Sequence, residues 1–320
     1  MTATSSAEII SPRLARIAEQ ARQAPGMVFT TLFHHVDMDW MREAYRRTRK
    51  NGAVGVDGQD GEAFAADLEG NLRRLLDAAK SGTYRAPPAR RVHIPKGDGS
   101  QTRPIGIPTF GDKVLQRAVA MLLEAVYEQD FLDCSYGFRP GRSAHGALGA
   151  MRDGLLSLCG AWVLEVDLRK FFDTLGHHHI RDMLSLRVRD GVITRLIGKW
   201  LNAGVMESGA VTHPDEGTPQ DGVVSPLLAN VYLHVALDAW FAREVQPRLH
   251  GRSNGIAVSL DRVCVPVEAR PRPVGRPPKG RRRSPCSASS GRPTAPRLRC
   301  STARARRCTR SATGACPRAT

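Results

Sequence analysis

The sequence is poor in cysteine and contains no Cys-x-x-Cys pair. Its 320 residues include seven cysteines, of which only Cys134 and Cys159 lie before residue 260. Zinc ribbons and dithiol redox motifs depend on closely spaced cysteine pairs, so the spacing supports neither kind of site. The function therefore has to be inferred from the carboxylates, the basic residues and the apolar patterns.

Long apolar runs are also missing. No stretch approaches the roughly 18 consecutive apolar residues that a membrane-spanning helix needs. The first residues, Met-Thr-Ala-Thr-Ser-Ser-Ala-Glu, lack the basic and then apolar order of an export signal. We therefore predict a cytoplasmic protein with no membrane partner, in which a disulfide framework is not expected.

Acidic and aromatic residues disappear toward the end of the sequence. The last acidic residue is Glu268, the last aromatic residue is Phe241, and 15 of the 47 Lys and Arg residues follow residue 268. Most of the net charge of +16 therefore belongs to residues 269–320, and the preceding body is close to neutral. A nucleic-acid site in the body would have to be a local basic patch. The candidates for such a patch are Arg85, Arg90, Arg91, Lys96 and Arg103.

Strands are predicted in two regions. Residues 91–94 and 103–107 are short strand-forming runs joined by a glycine-containing turn, which predicts a hairpin. Residues 162–168 are mostly apolar and strand-forming but carry a carboxylate, Asp167, near their end. Because burying an unpaired carboxylate is costly, we expect Asp167 to bind a cation, to pair with Arg169 or to lie in solvent. The residues alone leave these alternatives open.

Helices are predicted between and after these strands, which makes the fold α+β. Apolar residues at helical intervals predict helices over 62–80 and 144–159, and a long helix with Asp112 as its N-cap. Ser225, followed by a proline, predicts the start of another helix. Consecutive histidines at 177–179 point in different directions on a helix, so they predict a solvated helix start and not a metal site.

Six short motifs occur in order along the chain. They are Gly-Ala-Val-Gly-Val-Asp-Gly at 52–58, Ile-Pro-Lys at 94–96, Arg-Pro-Ile-Gly-Ile-Pro at 103–108, Ser-Tyr-Gly-Phe-Arg-Pro-Gly at 135–141, Val-Asp-Leu-Arg-Lys-Phe-Phe-Asp at 166–173 and Thr-Pro-Gln-Asp-Gly-Val-Val-Ser-Pro-Leu-Leu-Ala-Asn at 218–230. By these motifs, residues 38–258 resemble the group II intron-encoded reverse transcriptase/maturase family. Each motif contains several matching residues, and the motifs follow the family's order.

The resemblance implies the fingers and palm of a right-hand polymerase fold, with the thumb missing. Residues 50–130 and 175–225 would build the fingers, and the strand that carries Asp167 would lie in the palm. The predicted divisions of the chain are a polar N-terminal segment over 1–36, an incomplete fingers and palm domain over 37–258, and a disordered basic tail over 259–320.

The resemblance further implies a metal-dependent polymerase. Joining a primer 3′-hydroxyl to the α-phosphate of a nucleotide uses two divalent ions held by carboxylates, Mg²⁺ by preference and Mn²⁺ as a possible substitute. Asp167 matches the family's catalytic aspartate and first metal ligand, and the Leu168 carbonyl lies next to it in the sequence as a second ligand. The implied reaction is RNA-directed DNA synthesis.

Five more residues match the family's nucleotide site. Lys96 and Arg103 match the cations that bind the triphosphate of the incoming deoxynucleotide, a role that suits their charge. Phe172 matches the bulky residue that excludes a ribose 2′-hydroxyl. Gln220 and Gly222 match the loop against the nucleotide and the templating base. The partners that the resemblance implies are an intron RNA template and a DNA primer.

The sequence departs from the family after residue 258. The second metal-binding motif of the family, Tyr-Ala-Asp-Asp, should follow the strand at 255–258, but residues 259–266 are Ser-Leu-Asp-Arg-Val-Cys-Val-Pro. Asp261 is the only acidic residue among them. We therefore expect the polymerase activity of this chain to be absent or very weak.

The tail has two interpretations. Residues 269–320 are rich in Arg, Pro, Ala and Ser and show no periodicity, a composition typical of disorder. The tail is either a basic RNA-binding arm or the product of a reading frame lost near residue 258, in a truncated or frameshifted family member. Three functions remain open: an active reverse transcriptase, a non-catalytic intron-RNA-binding splicing factor of the maturase type, and the fragment of a decayed mobile element.

Overall fold

The computed structural model describes residues 6–95, 102–157, 161–168, 171–213, 222–249, 257–259, 262–268 and 300–308. The helices are α1 Ser6–Gln23, α2 Met38–Arg47, α3 Gly61–Ala65, α4 Leu68–Ser81, α5 Phe110–Tyr127, α6 Ala144–Ser157, α7 Phe171–Thr174, α8 His177–Ser185, α9 Gly191–Leu201 and α10 Ser225–Leu233. The strands are β1 Ala89–Pro95, β2 Thr102–Ile107, β3 Ala161–Leu168, β4 Val205–Glu207, β5 Ala210–Thr212, β6 Ala257–Ser259, β7 Arg262–Glu268 and β8 Cys300–Cys308. Short 3-10 or π-type turns cover Phe33–His35, His234–Asp238, Phe241–Val245 and Gln246–Leu249.

The chain divides into two compact units. The first comprises Met1–Asp133, Gly137–Gly141 and Lys170–Val235, and the second comprises Cys134–Tyr136, Arg142–Arg169 and Ala236–Thr320. The first unit therefore contains most of the helices and the β1–β2 hairpin, and the second contains the strand with Asp167.

Helix α5 is the centre of the first unit. The predicted apolar stripe is buried at Val114, Leu115, Ala118, Val119, Leu122, Leu123 and Val126. Because Ala120 and Met121 are buried as well, the helix is enclosed on more than one face, by α1, α2, α4 and α10. Trp40 of α2 donates a hydrogen bond from Nε1 to the Ala118 carbonyl at 3.0 Å, which fixes α2 against α5.

Two helix starts differ from the sequence prediction. The N-cap of α5 is Thr109, whose Oγ1 accepts from the Asp112 backbone N–H, whereas Asp112 is the third residue of the helix and is buried. The Asp112 carboxyl accepts a hydrogen bond from the Tyr84 hydroxyl, so the carboxyl is not available as a cap. Helix α10 begins at Ser225 itself and has no side-chain cap, although Pro226 lies in its first turn as expected.

The helix predicted over 62–80 is two helices, α3 and α4. Asp60 accepts hydrogen bonds from the backbone of Glu62 and Ala63, and Asp67 accepts from Gly70, so each aspartate caps a separate helix. Helix α4 ends at Gly82, whose φ of 82° is in the left-handed region that favours glycine. The apolar periodicity continues across the boundary between α3 and α4, so the sequence pattern alone predicts one helix.

The sheet of the first unit is built on the predicted hairpin. Strands β1 and β2 pair antiparallel from Arg90 opposite Ile107 to Pro95 opposite Thr102. Strand β4 pairs parallel with β1 and antiparallel with β5, which gives the order β2-β1-β4-β5. The hairpin is confirmed, and its tip, residues 96–101, lies outside the described residues.

A buried arginine joins the segment after α1 to the rest of the first unit. Helix α1, in the predicted polar segment, buries Ile10 and Ile17. The Arg187 guanidinium donates to the carbonyl of Ala21 in the last turns of α1 and to the carbonyls of Ala24 and Met27 after it. The same group pairs with Asp130 at 2.7 Å, and the side chains of both residues are largely buried. This network closes one end of the helical core.

Strand β3 is the centre of the sheet in the second unit. It pairs antiparallel with β7 on one side and β8 on the other, and β6 and β7 form a hairpin, so the order is β6-β7-β3-β8. Helix α6 packs on β6 and β7. The sequence predicts no regular structure over 259–320, yet β7 and β8 lie there. Alternating valines in β7 are a strand signal that the composition of the tail obscured; residues 269–299 and 309–320 lie outside the described residues.

Candidate functional site

The first unit contains a basic cleft of about 550 Å³ between β1, β2, the start of α5 and the loop after α2. Its cations are Arg49, Arg90, Lys113 and Arg117. Its apolar floor is formed by Val92, Ile94, Ile105 and Ile107. The described lining residues include no Asp or Glu. We refer to this site below as the basic cleft.

Two of these cations fix the wall of the basic cleft. Lys113 donates from Nζ to the Ala53 carbonyl at 2.6 Å, and Arg90 donates from Nε to the Val54 carbonyl at 2.9 Å. Both acceptors belong to the glycine-containing motif at 52–58. The next residue, Gly55, lies so close to α5 that a Cβ there would be 2.5 Å from the Thr109 Cα. The motif thus forms a tightly packed wall, which explains its glycine at 55.

Arg117 adds a guanidinium that is incompletely satisfied. Its Nε is buried and has no hydrogen-bond partner among the described residues, and its Nη1 is 3.6 Å from Glu124. Burial raises the pKa of Glu124, and the charge of Arg117 opposes that rise. A buried donor without a partner is costly, so Arg117 has an unmet hydrogen-bonding group beside the basic cleft.

A buried polar network lies beneath the segment that begins at Gly222. Tyr84 donates from its hydroxyl to Asp112 Oδ1, and Trp200 donates from Nε1 to the Tyr84 hydroxyl at 2.9 Å. Burial raises the pKa of Asp112 to about 7, against the opposing effect of the Tyr84 hydrogen bond. Asp112 and Gly222 also line one small cavity of about 20 Å³, and Gln116 accepts from the Val224 backbone N–H at 3.5 Å. The network therefore supports the start of this segment against α5.

Three of the predicted nucleotide-site residues are described. Arg103 lies on β2 opposite Ile94 and is exposed, close to the hairpin tip. Phe172 lies on α7, half-buried, with its ring 5.5 Å from that of Phe171. Gly222 is buried in the wall of the small cavity. The other two predicted residues, Lys96 and Gln220, lie outside the described residues. The roles of all five residues stay predictions.

Asp167 and Leu168 end β3 in the second unit. The register places Arg262 of β7 opposite Asp167 on one side and Thr302 of β8 opposite it on the other. The two cross-strand positions opposite Asp167 are therefore an arginine and a threonine, and neither is an acidic residue. Leu168 is buried, and the register with β8 shifts at this point.

Catalysis with a pair of Mg²⁺ ions, which the resemblance implies, would need further acidic residues near Asp167. Two divalent ions are held by several shared oxygen ligands. Within the described ranges, no group of three or more His, Cys, Asp or Glu side chains could hold a metal ion. Asp261, the one acid in the region of the expected motif, lies outside them.

The histidines at 177–179 differ from the prediction. They do start a helix, α8, but His177 is buried, so a fully solvated helix start is wrong for this residue. Helix α8 packs against α10, where the His179 ring lies 6.5 Å from the ring of Tyr232. Among the helices that the structure describes, none combines the length and the apolar character that crossing a bilayer requires.

The predicted basic patch includes only Arg90 of the four cations in the basic cleft and omits Arg49, Lys113 and Arg117. Lys113 and Arg117 interrupt the apolar stripe of α5, and a cation repeated at an interval of four residues on an otherwise buried helix was the available signal. The motif at 52–58 is visible in the sequence, but its packing as a wall depends on Thr109, which is distant in the sequence.

Known proteins provide independent evidence. Residues 94–250 match the family described as reverse transcriptase (RNA-dependent DNA polymerase). Protein YkfC of Escherichia coli is 38% identical over 234 residues, which cover 71% of this chain and 61% of that protein. The group II intron-encoded protein LtrA of Lactococcus lactis is 36% identical over 223 residues, which cover 69% of this chain and 37% of that protein. Nuclear intron maturase 4 of Arabidopsis thaliana is 26% identical over 195 residues, covering 60% of this chain and 23% of that protein.

The fold and these matches define a reverse transcriptase domain in an α+β chain. More particularly, the chain belongs to the group II intron-encoded reverse transcriptase/maturase family, as the sequence motifs indicated. The matched regions cover between about one third and two thirds of the two bacterial relatives. The family implies nucleotide substrates and a divalent metal in general terms.

Proposed function

We propose that this chain binds intron-type RNA through the basic cleft and that its own DNA polymerase activity is absent or very weak. The observation that carries the binding proposal is the lining of the cleft, in which four cations surround an apolar floor without an acidic neighbour in the described lining. Lys and Arg bind phosphates and release condensed counterions, and the floor accepts sugar or base surface.

The proposed weakness of polymerisation depends on the surroundings of Asp167. Template-directed nucleotidyl transfer in this family is expected to use two Mg²⁺ ions, with Mn²⁺ as a possible substitute, held by several carboxylates. The sequence lacks a Tyr-Ala-Asp-Asp motif, and the register offers Arg262 opposite Asp167. Both observations support a chain that retains the framework of the polymerase domain and lacks its complete metal site.

RNA binding is tested by its salt dependence. Each phosphate neutralised on a single strand contributes about −0.7 to the slope of log affinity against log salt. Arg49→Gln should therefore reduce the magnitude of that slope by about 0.7. The matched control is Arg74→Gln on α4, which removes the same charge from an exposed arginine paired with Asp67. The control also accounts for binding by the basic tail, which both variants retain.

Two results would contradict the binding proposal. The first is equal slopes for Arg49→Gln, Arg74→Gln and the unmodified chain, because the cleft cations would then contact no phosphate. The second is failure of the unmodified chain to shift a structured intron-type RNA at low salt. Circular dichroism of each variant verifies that the substitution leaves the fold intact.

Polymerase activity is tested by primer extension. The purified chain receives an RNA template with an annealed DNA primer, deoxynucleoside triphosphates and Mg²⁺, then Mn²⁺ in a parallel reaction. We expect no product above the level of Asp167→Asn. A product that the unmodified chain makes and Asp167→Asn does not would contradict this half of the proposal and identify an active reverse transcriptase. The salt-dependence result would stand in either case.

A further inference from the structure

Phe138 has an unusual backbone and an unusual exposure. Its φ is 51°, in the left-handed region, which is a genuine outlier for a bulky residue. Its side chain is 73% exposed, the largest value among the large apolar side chains of the described residues. A large ring is thus exposed to water by a strained backbone, and both features oppose folding.

The residues on either side of Phe138 hold this conformation. The Gly137 carbonyl accepts a hydrogen bond from Asn230 Nδ2 of α10 at 2.7 Å. The Arg139 side chain, only 5% exposed, pairs with Glu128 at 3.0 Å and donates to the Leu132 carbonyl at 2.8 Å. Because the backbone is fixed on both sides, the exposure of the ring is not caused by a loose loop.

The Arg139 side chain holds the loop in place, and its positive charge is paired inside the protein. Its guanidinium donates to both oxygens of Glu128 and lies 5.1 Å from the centre of the Phe131 ring. The charge is therefore compensated inside the protein. The loop therefore exposes the aromatic ring of Phe138 to solvent, and the neighbouring Arg139 adds no uncompensated charge there.

One exposed ring suits a small planar ligand better than a protein surface. A stable protein interface buries roughly 800 Å² on each partner, far more than a single side chain offers. A nucleobase, in contrast, stacks on one aromatic ring, and such stacking is tolerant of sequence because every base has a π-face. Backbone strain in a rigid loop is frequently found where a side chain has to be held for a ligand.

We propose that Phe138 is a stacking platform for an unpaired base of bound RNA. This inference rests on the proposed RNA binding and adds a contact outside the basic cleft. The contact is apolar, so its contribution to affinity should not depend on salt. This property separates it from the cleft cations, whose contribution falls as salt rises.

The first test is the affinity of Phe138→Ala for single-stranded oligouridylate. Loss of one stacking contact should weaken binding roughly 5- to 100-fold with an unchanged salt slope. Phe138→Tyr should retain the affinity because it keeps the ring. The matched control is Leu186→Ala, which removes an exposed large apolar side chain of the same unit and should have no effect.

The second test reports stacking directly. Phe138→Trp should show fluorescence quenching on addition of oligouridylate, beyond that of the unmodified chain, and no added quenching with an abasic RNA of the same length. Phe138→Gly should weaken binding while its thermal midpoint stays equal or rises, because glycine adopts a positive φ without strain. A lower midpoint together with unchanged affinity would overturn the proposal.

The outcomes separate this inference from the proposed function. Normal affinity of Phe138→Ala, with a reduced salt slope for Arg49→Gln, would overturn the stacking platform and leave the basic cleft in place. A change in association state of Phe138→Ala in sedimentation, without a change in RNA affinity, would assign the ring to a protein contact and also overturn the proposal. Absence of RNA binding by the unmodified chain would overturn both proposals.

Discussion

Replacing Asp112 by asparagine should remove a large pH dependence of stability. The Asp112 side chain is buried at the start of α5, and its pKa of about 7 exceeds the ordinary value of 3.8. Burial is the main cause, the negative charge of Asp57 adds to it, and the Tyr84 hydrogen bond opposes it. The folded state therefore favours the neutral carboxyl, whereas the unfolded chain ionises near pH 4.

The sign and size of the effect follow from these two pKa values. The stabilisation by neutral Asp112 is fully present below about pH 4 and is lost as the pH rises to about 7. A difference of about 3 pH units corresponds to roughly 4 kcal/mol in the free energy of unfolding. The substituted amide side chain does not ionise, and its carbonyl can still accept from Tyr84. Asp112→Asn should thus resemble the unmodified chain at pH 4 and be more stable at pH 8.

The assay is urea unfolding, followed by circular dichroism, at pH 4, 6, 7 and 8. The difference in unfolding free energy between the two proteins should grow by roughly 4 kcal/mol across this range. Taking the difference cancels the other titrating groups that both proteins share. Asp77→Asn, an exposed change of the same chemistry on α4, is the control. Parallel pH profiles for Asp112→Asn and the unmodified chain would refute the reasoning.

Two more substitutions test the packing of the first unit. Gly55→Ala should lower the free energy of unfolding by about 3 kcal/mol, because the new Cβ would lie 2.5 Å from the backbone of Thr109, which cannot move aside as a flexible side chain could. The control is Gly26→Ala, because an added Cβ there has nothing within 4 Å. Arg187→Met should cost about 3 to 5 kcal/mol, because it leaves the largely buried Asp130 without its partner. Chemical denaturation measures both, and a loss below about 1 kcal/mol in either would show that the site relaxes.

The Tyr84–Asp112–Trp200 network also supports the segment that begins at Gly222. Its members come from the segment before β1, from α5 and from α9, so the network joins three elements of the first unit. Gly222 lines the cavity beside it. Because a buried polar network is stable only when every member is satisfied, a substitution at Asp112 that removes the acceptor for Tyr84 should also alter the segment that begins at Gly222.

Local signals in the sequence were sufficient for the elements that depend on nearby residues. Strand-forming apolar runs predicted β1, β2 and β3, and the apolar stripe predicted α5, since these patterns are set by which face is buried. The order of the six motifs was sufficient for the family, which the comparisons confirmed. The sequence also placed Asp167 at the end of a strand, where the structure finds it.

Tertiary structure decided the features that depend on partners far along the chain. Asp112 has the local pattern of a cap, but in the fold its carboxyl is buried and accepts from the Tyr84 hydroxyl, which in turn accepts from Trp200. Gly55 is explained only by the approach of Thr109. Strand register decided that Arg262 lies opposite Asp167. The physical reason is common to all of these. Periodicity reports which side of an element is buried, whereas burial cost, close approach and charge pairing depend on which distant residue arrives there.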